Sequence, residues 1–291
     1  MLRVLIVLLL ASFALPSFAD AQNRRRNRRR NQGEEQAAQP TLGDLDTIVP
    51  KLSSENPAEV REAIDLLSVI DRPEVIPHLA DLLRSGQPDP VTDRALEALG
   101  GLAHPNAIEI LSAFTHHRRP GARRRAYEGL AGIRDRRIPD LLERGLSDSD
   151  RNVRATSALA LGEIGARDSL DILFRAFERG VVEAAIAIGK LGNRRAVARF
   201  DEHLGDRPLA IMLSGYHEFL RRRDIPTEVK TDVVARLGEV SGPMVRRFLQ
   251  EYLGTFPERG RNALRDHVEE TLRRIPEGNV GVTLGDQGGE G

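Results

Sequence analysis

The chain of 291 residues has no cysteine and no tryptophan, and aromatic side chains make up only 4% of it. Without thiols no disulfide can staple the fold and no cysteine can carry a lipid, although their absence does not argue against an oxidising compartment. Lysine is confined to Lys51, Lys190 and Lys230, so almost every positive charge is an arginine. Codon bias accounts for that without any function. No long run of Val, Ile and Thr alternates as half-buried strands would. The sequence also lacks a Gly-x-Ser-x-Gly elbow, a phosphate-binding loop and a dinucleotide fingerprint. What remains abundant is Ala, Leu, Glu and Arg, with 30% of residues charged, and that composition favours helix.

The first 21 residues, MLRVLIVLLLASFALPSFADA, place Arg3 before an apolar run and end on small residues. This is the pattern of a secretory signal peptide, with cleavage expected after Ala21 in the Ala-Asp-Ala step. The apolar run is shorter than the roughly 20 residues a spanning helix needs. The mature protein is therefore expected in the periplasm or outside the cell. Next comes QNRRRNRRRNQ, in which Arg24, Arg25, Arg26, Arg28, Arg29 and Arg30 stand without an acid. Residues 22–40 have no periodic apolar face, and such clustered charge repels itself, so the arm is read as disordered. Two roles stay open for it. It could tether a polyanion by displacing counterions, or it could do no more than serve as a solubilising linker or fold back on a body that is acidic on balance from Gly33 onward.

From Leu42 to about Ile275 the apolar positions follow helical spacing, with Leu42 to Leu52 read as one capping helix. The clearest unit is Val153 to Phe177, where Val153, Ser157, Ala158, Leu161 and Ile164 share one face, Gly165 ends the helix, and Leu170, Leu173 and Phe177 begin another stripe. Equivalent first helices carry an anchor at Leu67, Leu99, Leu130, Leu161 and Ile188. A small residue stands four positions earlier in each, at Ala63, Ala95, Ala126, Ser157 and Ala184. A period near 30 with two helices per period predicts an all-α fold, an α-solenoid of stacked antiparallel helix pairs. Past Leu204 the rhythm loosens. Residues 209 to 222 read as another helix and Pro226 as the start of the next, with Leu237 as anchor and Val240 behind it, so that one irregular unit separates two regular ones; Asn262 to Ile275 reads as a terminal cap. The Gly-rich stretch 276–291 reads as a disordered tail. The organisation expected is a leader (1–21), an arm (22–40), a solenoid (41–275) and a tail (276–291).

Residues 147 to 173, SDSDRNVRATSALALGEIGARDSLDIL, resemble the HEAT repeats of the phycobilisome-lyase-like kind in their aspartate-rich turn, Val-Arg step and Leu-Gly-x-Ile-Gly helix end. The resemblance implies that Asp148 or Asp150 and Arg154 tie neighbouring units together. Seven residues before the anchor, where Arg154 stands, Arg123 keeps the arginine, Thr92 and Val181 replace it, and the first unit offers Val60-Arg61, shifted by one.

The seven histidines adopt no familiar metal spacing. His217-Glu218 resembles one step of the His-Glu pattern in HEAT-type iron hydroxylases such as deoxyhypusine hydroxylase, but the matching steps in other repeats are missing. No catalytic group, cofactor or small-molecule substrate is inferred. The stretch HHRRPGARRR carries Arg118, Arg119, Arg123, Arg124 and Arg125, followed by Arg134, Arg136 and Arg137. These could form a basic patch, or pair with Glu128, Glu143 and acids of the next unit; few aromatics stand nearby to stack on bases. The sequence reads as an exported, non-enzymatic scaffold that engages a protein partner. The alternative is a polyanion-binding protein using the arm and the third-repeat patch against nucleic acid, anionic lipid or polysaccharide.

Overall fold

The computed structural model describes residues 40–257 and 262–276. The leader, nearly all of the arm and the tail lie outside the described residues, and so do Arg24, Arg25, Arg26, Arg28, Arg29 and Arg30. Every regular element among the described residues is helical. No helix among them is long and apolar enough to cross a membrane.

The segment Leu42 to Leu52 is not one helix. It runs as a 3-10 turn (Leu42–Asp44), a single α turn (Leu45–Ile48) and a second 3-10 turn (Val49–Ser53). Pro50 has no amide hydrogen to continue the ladder and crowds the preceding turn, so a continuous helix cannot pass it. The segment still seals the first pair, because Ile48 and Leu52 are buried while Leu42 stays exposed.

Seven helix pairs follow among the described residues: α1 (Pro57–Ile70) and α2 (Ile76–Arg84), α3 (Asp89–Leu102) and α4 (Ile108–Phe114), α5 (Pro120–Ala131) and α6 (Ile138–Gly145), α7 (Arg151–Glu163) and α8 (Leu170–Glu178), α9 (Ala184–Leu191) and α10 (Arg194–Asp201), α11 (Leu209–Arg221) and α12 (Thr227–Val240), α13 (Pro243–Leu253) and α14 (Ala263–Arg274). Chain contacts divide the protein into two compact units, Met1–Ser157 and Ala158–Gly291, with the boundary inside α7.

In the first unit α3 packs against both α1 and α5, so the first helices form one row. The second helices α2 and α4 fold back onto α3 and α5. The anchors Leu67, Leu99 and Leu130 are at 0% exposure, as are Ala63, Ala95 and Ala126 four residues before them and Ser157 four residues before Leu161. The residue three places after the anchor is less uniform: Ile70 and Ile133 are buried, whereas Leu102 is half-buried. The closest approach of adjacent first helices falls at the residues flanking the anchors. A Cβ placed on Gly100, just after Leu99, would lie 2.7 Å from the Cα of Gly129, just before Leu130. Only glycine at both places lets the backbones meet this way.

Ser157 stands alone among these small residues in being polar. Its Oγ is buried and has no hydrogen-bond partner among the described residues, an arrangement that costs stability because the hydroxyl has given up water for nothing. Ser157→Ala should therefore raise stability by about 1 kcal/mol in equilibrium denaturation.

In the second unit Leu161 and Ile188 are fully buried, Ile164 is half-buried, and Gly165 ends α7 with φ +76°, a left-handed conformation open to glycine. Here the rhythm read past Leu204 is corrected. Helix α11 lies beside α9 and packs on α13, while α12 lies beside α10 and α14. Residues 209–221 are thus the first helix of a sixth pair, and Leu237 belongs to its second helix α12. The proper anchor is Tyr216, at 0% exposure, because a Cβ on Gly189, just after Ile188, would lie 2.4 Å from the carbonyl oxygen of Gly215. Val240 does not continue a buried stripe, for it is 42% exposed. Helix α14 is the second member of a seventh pair, and Asn262 caps it by accepting from the amides of Leu264 and Arg265 at 3.0 and 3.2 Å.

Candidate partner-binding surface

The turn aspartates and the arginines around them do three separate jobs. Asp150 Oδ1 accepts from the amides of Asn152 (2.8 Å) and Val153 (3.2 Å), which makes it the amino-terminal cap of α7. Arg154 donates from Nη1 to the carbonyls of Asp148 (2.8 Å) and Ser149 (2.9 Å), bracing the turn that leads into its own helix. Asp148 makes the link between repeats. Its carboxylate takes a two-pronged bond from Arg123 of the preceding pair, Nε at 2.8 Å and Nη2 at 2.6 Å. The role implied for Arg154 is therefore corrected to one within its own unit. The same bracing recurs seven residues before other anchors. Arg123 Nη1 donates to the carbonyls of His117 (3.0 Å) and Arg118 (3.3 Å), and Thr92 Oγ1 to that of Gln87 (3.0 Å). Val181, in the equivalent place, has no side-chain donor to do so.

The Arg123–Asp148 pair is nearly dry, with side chains 12% and 10% exposed. Burial works against the Asp148 carboxylate, yet the bond from Arg123 and the amide of Asp150 outweigh it and hold the group below its ordinary value. Nearby, burial and then the charges of Arg119 and Arg118 push the His117 imidazole down. The ring stacks on Phe114 with centroids 5.4 Å apart, and its Nδ1 accepts from the amide of Arg119 at 3.1 Å. His117 is thus part of the turn rather than a solvated helix end, while His116 is exposed.

Most of the proposed third-repeat basic patch is occupied. Arg119 reaches Asp89 and Asp93, each at 2.9 Å, and Arg125 reaches Glu97 at 3.0 Å and Asp93 at 3.4 Å. Arg124 pairs with Glu128 one turn along the same helix at 2.9 Å. A ladder results: the acid two residues before one anchor holds the arginine five residues before the next, as in Asp65 with Arg94 and Glu97 with Arg125. At Glu128 the ladder stops, since Thr156 stands where the next arginine would. Burial pushes the Glu128 carboxyl up, against the pull of Arg124 and Arg125. Arg118 is exposed and has no carboxylate partner among the described residues. Arg134 and Arg136 are also exposed, but they sit at the far end of α5 from Arg118. A helix of 12 residues is about 18 Å long, so the two groups form no compact patch.

Nothing among the described residues assembles into a group of His, Cys, Asp or Glu that could hold a metal ion. His203 packs edge-on against Phe177, and His217 lies against Phe248 and Arg221. One groove of about 340 Å³ is lined by Ala58, Arg61, Glu62, Asp65 and Arg94. Its lining is mostly charged, unlike the apolar walls that enclose most small-molecule ligands.

Arginines that sequence reasoning passed over lie in the second unit, at the turns between first and second helices. Arg194 and Arg195 begin α10 behind the cap Asn193, and Arg223 follows α11. All three are exposed, and none has a carboxylate partner among the described residues. The signal is visible in the sequence as the Asn-Arg-Arg run at 193–195 and the Arg-Arg-Arg-Asp run at 221–224.

Stacked helix pairs with anchors buried between them define this chain as an α-solenoid. Residues 105–185, within that solenoid, match the family model for HEAT repeats. It is similar to the complex of CpcE and CpcF of phycocyanin lyase from Nostoc sp., at 14% identity over 84% of this chain and 99% of that one, TM-score 0.44. Human deoxyhypusine hydroxylase is similar at 18% identity over 80% and 96%, TM-score 0.40. A chain of the AP-3 complex gives 13% identity over 80% of this chain and 51% of that one, TM-score 0.52. Such identities establish the fold alone. No curated protein matches the chain significantly.

Proposed function

We propose that the protein is an exported scaffold that binds a protein partner on the outer surface of its repeats. The observation that carries this reading is where the apolar side chains go. Leu67, Leu99, Leu130, Leu161 and Ile188 are wholly buried between stacked helices, which leaves rows of polar and charged side chains facing outward. Stacked repeats of this kind offer an extended binding surface rather than an enclosed reaction chamber, and repeat folds are typically non-catalytic scaffolds. The fold shared with a chain of the AP-3 complex, by its name a multi-chain assembly, agrees with that use. Export rests on the leader-like residues 1–21, and the arm of arginines adds attraction to anionic surfaces.

Affinity capture with the full-length chain from cell-envelope extract, with and without residues 22–31, tests the reading. A discrete protein partner retained after the deletion and at raised salt is expected. Recovery of nucleic acid, lipid or polysaccharide alone, abolished by the deletion or by salt, would replace the scaffold with a polyanion binder. Sequencing the amino terminus of the envelope-borne protein should begin at Gln22, and a cytosolic chain beginning at Met1 would end the export reading.

A further inference from the structure

Ion pairs in the first unit take up Arg94, Arg119, Arg123, Arg124 and Arg125, but the turn edge of the second unit is different. Three successive turns between first and second helices carry Arg167, then Arg194 and Arg195, then Arg221, Arg222 and Arg223, against two aspartates, Asp168 and Asp224. These turns lie close together. Arg167 Nη2, on the first of them, reaches Asp224 Oδ2 on the third at 3.2 Å. Arg222 fastens the edge from within. It donates from Nη1 to the carbonyls of Gly189 (3.1 Å) and Gly192 (2.5 Å), and its Nε and Nη2 grip Asp224 at 2.9 and 2.6 Å. Asp224 is thereby claimed twice, and its carboxyl is held down at about 2, first by the bond from Arg222 and then by its charge and that of Arg167. With Asp224 already claimed, Asp168 is the one turn aspartate left against Arg194, Arg195 and Arg223, and the edge keeps a positive balance.

We infer that this turn edge, centred on Arg194, Arg195 and Arg223, is the docking surface for an acidic, extended protein segment. The inference rests on the scaffold reading and names the chemistry of its partner. Guanidinium groups pair with carboxylates through parallel bonds, which suits glutamate and aspartate side chains. Spacing agrees as well. Adjacent packed helices stand about 8–10 Å apart. In an extended polyproline-like peptide every third residue recurs after about 9 Å, so carboxylates at that interval meet successive turns. The exposed large apolar residues of this unit, Val240 and Met244, lie at the opposite turn, between α12 and α13, and leave this edge without an apolar side chain to insert into a bilayer. Its turns also carry no aromatic ring on which unpaired bases could stack.

The test uses the full-length chain with Arg24, Arg25, Arg26, Arg28, Arg29 and Arg30 changed to Gln, so that the arm cannot mask the edge. Binding of poly-L-glutamate, phosphatidylglycerol vesicles and duplex DNA is compared before and after Arg194→Glu, Arg195→Glu and Arg223→Glu together, with Arg118→Glu and Arg136→Glu as the control. The expected result is poly-L-glutamate binding that weakens about tenfold or more in the triple variant and less than twofold in the control. Unchanged poly-L-glutamate binding in the triple variant overturns the inference. Binding of vesicles or DNA but not of poly-L-glutamate overturns it too, in favour of a phosphate-bearing partner. Circular dichroism of the triple variant confirms that loss is not unfolding, since all three side chains are exposed. Should the captured protein partner persist undiminished in the triple variant, this edge fails while the scaffold reading stands. A wild-type chain that captures no protein removes the scaffold reading itself.

Discussion

Asp148→Ala is expected to destabilise the protein by about 3–5 kcal/mol in equilibrium denaturation, because it strands the Arg123 guanidinium in a nearly dry site. Two features raise the effect above that of the surface pairs along the same row. The bond is two-pronged, and Asp148 also accepts from the amide of Asp150 at 2.8 Å, so its loss loosens the turn that starts α7. Replacing both partners by apolar residues, Arg123→Met with Asp148→Leu, should recover much of the loss, since no buried charge is then left unpaired. The sign with pH follows from the direction of the shift. The folded carboxyl sits below its ordinary value of 3.8, so its contribution is complete above that pH and fades as the pH falls through the lower, folded value. Wild type and Asp148→Ala should therefore converge in stability in strong acid. An Asp148→Ala loss below 1 kcal/mol would mean that the repeats are not tied here.

Tyr216→Ala should cost about 3–5 kcal/mol, as large aromatic truncations in packed cores do. Tyr216 is fully buried. Its ring meets Phe200 edge-on at 5.2 Å, and Phe200 in turn packs on Phe177 (5.4 Å) and Phe219 (5.9 Å). Its hydroxyl donates to Asp201 Oδ1 at 2.6 Å, joining the sixth first helix to the end of α10. Burial, reinforced by the bond to Asp201, pushes the phenol up, so it remains a donor throughout the useful pH range. Burial pushes the Asp201 carboxyl up as well, while the phenol's bond pulls it back. Tyr216→Phe keeps the ring but deprives Asp201 of its partner, and should cost about 1–3 kcal/mol. If both substitutions cost the same, the ring packing contributes nothing and Tyr216 is no anchor.

The regular part of the array was legible because two signals coincided. Apolar spacing marked each first helix, and a small residue four places before the anchor marked where it must lie close to a neighbour. Val153 to Phe177 showed both, and its burial follows the reading apart from Ile164 and Leu170, which are half-buried. The sixth pair was misread because its anchor is an aromatic, Tyr216, whereas Val-Ala-Arg-Leu-Gly in α12 imitates the Leu-Gly ending of first helices. Glycines supply the phase that side-chain type obscures: Gly189 and Gly215 mark the contact of α9 with α11 just as Gly100 and Gly129 mark that of α3 with α5. The cap at Leu42 to Leu52 was misread for a different reason, since apolar spacing runs on through Pro50 although the backbone cannot.

Charge was harder to read than periodicity, because whether an arginine is free depends on acids about 25 to 30 residues away. Arg119, Arg123 and Arg125 look like a basic cluster in sequence, yet Asp89, Asp93, Glu97 and Asp148 come to them from adjoining repeats. Arg194, Arg195 and Arg223 look like ordinary helix boundaries until stacking brings their turns together and Arg222 occupies Asp224. In a solenoid, then, neighbouring repeats decide which charges remain for a partner.

Mapping by mass spectrometry the cross-links formed between the full-length protein and its captured partner tests the scaffold account most directly. The account predicts a discrete protein attached at exposed residues of the repeats, with cross-links clustered about the turns at residues 192–195 and 221–224. Cross-links confined to residues 22–31, or capture of nucleic acid, lipid or polysaccharide with no protein, would contradict it.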